Sequence, residues 1–239
     1  MKSKNSLLIV GVILLFSLYC RAQIPSSVPE NKFGFTLINS IQALKNTIAQ
    51  DSAKQMVSLK KITPAVILDL RYATADNFMH RLMYPANTAN SFMRRPAVLA
   101  LQKVAEELQT KGLGLKIYDA YRPFSVTQKF WELVHDERYV ANPAKGSGHN
   151  KGVAVDLTIV DTATNKELDM GTGFDNFTDT AHQNFTALPA NVLANRKLLR
   201  ETMTKYGFIV FDTEWWHYYW PGNFEVLNLS FDQLDQLAH

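Results

Sequence analysis

Apolar residues at positions 37, 38, 41, 44 and 48 recur at helical spacing and predict a helix within residues 35–50. Val66 to Tyr72 is rich in β-forming residues and predicts a strand, whereas residues 79–95 lack a clear period and read as a loop. Pro96 suits a first helical position, and the stripe at 98, 101, 104 and 108 then predicts a helix ending at Gly112. A strand follows from Leu113 to Tyr118, and a helix from Phe124 to Val134 after the Arg122-Pro123 turn. From Gly152 to Ile159 the pattern is a strand, with Val153, Val155 and Leu157 on one face and Ala154, Asp156 and Thr158 on the other. Beyond a loop-rich stretch at 161–188, a helix is expected from Ala190 to Tyr206 and a strand from Gly207 to Phe211, paired with Trp216 to Trp220. Helices and strands mix without regular βαβ alternation, and no internal repeat is present. The pattern therefore predicts a single compact α+β domain whose central antiparallel or mixed sheet is flanked by helices.

The amino-terminal pattern is different. Lys2 and Lys4 precede an apolar run from Leu7 to Tyr19, followed by Cys20-Arg21-Ala22. A basic start and a short apolar core match a secretory signal, expected at 1–22, and the run falls short of the roughly twenty residues that span a bilayer. Export to the periplasm or beyond the cell is expected, with no stable membrane insertion once the signal is cleaved. Lipid anchoring through Cys20 is disfavoured, because Ser17-Leu18-Tyr19 lacks a small residue next to the cysteine. Residues 23–34, with Pro25, Ser26, Ser27, Pro29 and Gly34, read as a tether to a domain at 35–239.

Composition narrows the chemistry. Cys20 is the only cysteine, so the domain can hold neither a disulfide nor a thiolate-bound metal. A net charge of +3 with interspersed signs gives nucleic-acid binding no support. Any metal must be held by imidazoles and carboxylates.

Two segments supply such groups: Ser147 to Asp156, and Glu214-Trp215-Trp216-His217. His149 lies in a Ser/Gly/Asn turn ahead of a strand, and Asp156 is a carboxylate inside an otherwise apolar strand, a costly placement unless it meets a cation. Glu214 and His217 flank two tryptophans, which also suits an aromatic core strand with polar ends. Strict alternation would set them on opposite faces, so their joint use requires a bend or bulge. No His-Glu-x-x-His helix is present. On this inventory His149, Asp156 and His217 are the expected ligands of one Zn2+ per chain. The fourth position is left for water, and Glu214 is left free as the base.

Ser147-x-His149-x-x-Gly152-x-Ala154-x-Asp156 and Glu214-x-Trp216-His217 resemble the zinc-dependent D-alanyl-D-alanine metallopeptidases, a superfamily that includes muramoyl-peptide carboxypeptidases and the Hedgehog fold. Tyr72 to Phe78, Asp119-Ala120-Tyr121-Arg122-Pro123 and Asp169 to Asp175 are similar to its D-Ala-D-Ala dipeptidase branch. The resemblance implies a peptidase-like fold of that superfamily and hydrolysis of D-alanyl-D-alanine. Arg122 would stabilise the transition state, Asp175 would hold the substrate's free amine, and Tyr72 and Ser147 would line the pocket. An exported enzyme cannot deplete a cytoplasmic precursor pool, so peptidoglycan turnover or recycling is expected rather than antibiotic resistance. The competing expectations are a D,D-carboxypeptidase or endopeptidase acting on longer wall peptides, and a non-enzymatic zinc-bearing interaction module.

Overall fold

A computed structural model describes residues 34–238. The expected signal and most of the expected tether lie outside the described residues.

The chain begins with β1 (Leu37–Ile38), and the first helix, α1 (Ile41–Gln50), is shorter than expected because Ser40 caps it by accepting a hydrogen bond from the Ala43 amide. β2 (Met56–Ser58) follows. The strand expected over Val66–Tyr72 is only β3 (Ile67–Leu68), since Arg71–Ala73 tightens into a 3-10 turn that buries Tyr72. The expected loop at 79–95 ends in β4 (Phe92–Arg94), paired antiparallel with β2. Elements this short carry no readable period.

The longer elements follow the pattern closely. α2 (Arg95–Gln109) buries Val98, Leu101, Val104 and Leu108, the predicted stripe. β5 (Leu113–Asp119), α3 (Phe124–Leu133), the one-turn α4 (Gly148–Lys151), β6 (Ala154–Asp161) and α5 (Ala190–Lys205) come next. β7 (Ile209–Phe211), β8 (Glu214–Tyr219), β9 (Val226–Leu227) and α6 (Phe231–Ala238) complete the fold.

The main sheet has the order β3-β5-β6-β8-β7, parallel between β3 and β5 and antiparallel elsewhere, so it is mixed. α2 and α5 pack on it, and Val155, Leu157 and Ile159 of β6 join Leu101, Val104, Leu108, Leu199 and Met203 in one core. A second core gathers Leu44, Tyr72, Phe92, Tyr121, Phe130 and Leu234. β6 is buried along nearly its whole length, as a central strand must be. Register brings Asp119 opposite Asp156 and Asp156 opposite His217, so three polar residues stand abreast on three neighbouring strands. Directly opposed residues have Cβ atoms about 4.5–5.5 Å apart, and the row becomes the floor of a site.

Candidate active site

The turn before β6 is shaped by small residues. Ser147 Oγ accepts from the His149 amide at 3.2 Å and starts α4, and Gly152 ends it with φ +71°. A Cβ on Gly148 would come within 2.9 Å of the Ala154 methyl, so the turn lies flat on the strand. This geometry aims His149 back over Asp156.

His149 Nδ1 lies 2.6 Å from the Ala120 carbonyl. A carbonyl only accepts, so Nδ1 carries the proton and Nε2 keeps its lone pair. That Nε2 stands 3.4 Å from Asp156 Oδ2, while His217 Nδ1 stands 2.8 Å from Asp156 Oδ1. One ligand atom from each of the three residues lies within 4.8 Å of the others. Two ligands bound tetrahedrally at about 2.0–2.1 Å are separated by roughly 3.3–3.4 Å, so the cluster fits a metal. Electrostatics agrees: burial, then Arg122 and His217, hold His149 well below its ordinary pKa, and burial also lowers His217, leaving both rings neutral. Burial and the neighbouring Asp119 push Asp156 well above the usual carboxylate range. A cation would relieve it.

Glu214 meets the condition set by strand alternation. Tyr218 faces Val210 and Glu214 faces Phe211, so residues 215–217 have no counterpart on β7. This irregularity brings Glu214 Oε2 to 3.8 Å from His217 Nδ1. Glu214 is outside the ligand cluster and mostly buried, and burial raises its pKa to about 7, with His217 opposing the rise.

Arg122 is 8% exposed and donates through Nε and Nη2 to Asp119 Oδ2, at 3.1 and 2.7 Å. Burial works most strongly against its charge, but Asp119, Tyr84, Tyr72 and Asp156 together outweigh it and hold the pKa well above the ordinary value. The guanidinium lies over the rings of Tyr72 and Phe130, at 5.1 and 4.9 Å from their centroids. Tyr72 in turn donates its hydroxyl to Asp175 Oδ1 at 3.0 Å.

Asp175 adopts the left-handed backbone at φ +60°, and its Oδ2 accepts from the Phe78 amide at 3.4 Å. Phe78, Phe130, Phe174 and Trp216 form an aromatic wall around Tyr72 and its neighbours. Burial first, then Asp156, raises the Asp175 pKa to about 7. Seven of the eight expected residues therefore join one contiguous polar cluster. The eighth, Ser147, stands beside it as the cap that places His149. Two surface cavities of about 350 and 260 Å³ lie elsewhere and include none of the eight.

A family model for D-ala-D-ala dipeptidases matches residues 52–234, a span that holds every residue of this cluster. The chain belongs to that family. The D-alanyl-D-alanine dipeptidase of Escherichia coli K12 is 38% identical over 167 residues, covering 70% of this chain and 85% of that protein. That of Enterococcus faecium is 29% identical over 178 residues, covering 67% and 88%. A solved LdcB LD-carboxypeptidase structure shares 22% identity at a TM-score of 0.37, covering 55% of this chain and 60% of that one.

Sequence reasoning missed two residues of this dipeptidase-family site. Asp119, fully buried, anchors Arg122 and lies 3.7 Å from His149 Nδ1. Tyr84 donates its hydroxyl to Asp119 Oδ1 at 2.6 Å. The spacing Asp119-x-x-Arg122 was a usable signal, whereas Tyr84 sits in an aperiodic stretch that offers none.

Proposed function

We propose that this peptidase hydrolyses D-alanyl-D-alanine to two molecules of D-alanine, with Zn2+ held by His149, Asp156 and His217. The carrying observation is one buried cluster in which a three-residue metal set, a free carboxylate at Glu214 and a second buried carboxylate at Asp175 adjoin through Arg122 and Tyr72. Two imidazoles and one carboxylate suit zinc, which when bound would polarise a carbonyl and acidify water.

The chain's own groups supply the rest. Glu214, poised at about 7, takes up a proton from the attacking water and passes it to the leaving amine. Arg122, held by Asp119, donates to the oxygen on which negative charge develops, a contact stronger in the transition state than in the ground state. Asp175, with Tyr72 on one oxygen, accepts the substrate ammonium, and ion pairing offsets the cost of its burial. A longer peptide has no ammonium at that position and leaves Asp175 unpaired, which favours the dipeptide over a carboxypeptidase or endopeptidase substrate. The amino-terminal pattern supports export and a role in peptidoglycan turnover or recycling.

The test is D-alanine release from D-alanyl-D-alanine before and after chelation. Release should vanish when zinc is removed and return when one equivalent per chain is restored. Unchanged release after complete removal of zinc would exclude the proposed site.

A further inference from the structure

The loop that carries Asp175, residues 170–182, contains one 3-10 turn at Asp179–Ala181 and is otherwise irregular. A carboxylate that selects substrate length must nevertheless stand at a fixed place relative to the metal ligands. Both ends of the loop are held by one side chain. Arg196 of α5, 5% exposed, donates from Nε to the Met170 carbonyl at 2.7 Å and from Nη1 to the His182 carbonyl at 3.3 Å. Its neighbours extend the clamp: Asn195 donates to the Asp169 carbonyl at 2.9 Å, and Arg200 to the Gln183 carbonyl at 3.2 Å.

The loop also lies hard against α5. A Cβ on Gly171 would come 2.9 Å from Val192 Cγ1 and 3.7 Å from Arg196 Nη2, and φ there is +80°. The guanidinium carbon lies 6.0 Å from the centroid of the Trp215 ring, and Trp215 Nε1 donates to Thr172 Oγ1 at 2.8 Å. Trp215 directly follows Glu214, so the clamp ties the Asp175 loop to the strand that bears the base and a ligand. A planar guanidinium can serve two carbonyls in fixed directions, which a lysine ammonium on one flexible stem cannot reproduce.

We propose that Arg196 is a positioning residue for substrate selection. By closing the loop at both ends it fixes Asp175 relative to His149, Asp156 and His217, and so sets the peptide length accepted. This rests on Asp175 as the acceptor of the substrate ammonium.

Steady-state kinetics of the full zinc-loaded protein on D-alanyl-D-alanine and its N-acetyl derivative tests both layers. Arg196→Gln should raise KM for the free dipeptide about ten-fold and change kcat less than about three-fold, and the preference for the free amine should fall by a similar factor. Zinc content should stay at one per chain. Arg200→Gln and Asn195→Ala, which each release one carbonyl, should raise KM about two- to three-fold, so the proposal stays testable if Arg196→Gln does not fold. Unchanged KM and unchanged preference in the variants that fold would overturn the role of Arg196. Equal cleavage of both substrates by the unmodified protein would instead remove the role of Asp175, and this proposal with it.

Discussion

Glu214 and Asp175 are carboxylic acids lifted to about 7 by burial, yet they face different tasks. Glu214 borders His217 and is the proposed base, whereas Asp175 borders Tyr72 and is the proposed acceptor of a cation. Glu214→Gln should therefore keep zinc at one per chain while kcat falls by about 10²- to 10⁴-fold, checked by metal analysis beside turnover. In the metal-free protein both raised pKa values favour the protonated fold. Their stabilising contribution is fully present below the ordinary values of 4.5 and 3.8 and is lost as pH rises through about 7. Calorimetry of the metal-free protein should show Tm falling across that window, and Glu214→Gln with Asp175→Asn should flatten the fall. The clustering of His149, Asp156 and His217 beside Glu214 was legible in the sequence because such donor types are few in a chain whose sole cysteine precedes the domain. Asp119 and Tyr84 were not. Their work is to hold Arg122, and a partner of a partner leaves little trace in a linear pattern.

Among the elements, the helices were the readable part. The stripe of α2 buries Leu101 and Val104 completely, and Leu101→Ala should cost about 2–5 kcal/mol of stability in denaturant unfolding. Strand register was not readable, and it is what sets Asp119, Asp156 and His217 abreast. Nor was the irregularity of β8, although alternation identified it as the condition that Glu214 and His217 had to satisfy. Gly152 shows how a motif position becomes geometry. With φ +71° and an added Cβ 2.6 Å from Met56 Cε, Gly152→Ala should destabilise the fold by about 1 kcal/mol or more. It should also weaken zinc binding in a competition titration with a chelator, because His149 is three residues away on the same turn.

At the scale of the whole molecule, His149 on α4, Asp156 on β6 and Glu214 and His217 on β8 meet at one end of the sheet, while Asp175 hangs on a loop clamped by α5. Under the proposed function, this division separates the hydrolytic part from the selecting part. The sheet with its two cores accounts for the α+β class expected from the pattern, and the mixed order follows from the single parallel pair at β3. Among the described residues no helix is long and apolar enough to cross a membrane. In the proposed function, one buried site joins metal-dependent hydrolysis to recognition of a free amine. The most direct measurement is kcat/KM of the zinc-loaded protein for D-alanyl-D-alanine against its N-acetyl derivative. A preference of at least about 100-fold for the free dipeptide is predicted, since the blocked amine leaves Asp175 buried without its partner. Equal values for the two substrates would contradict it.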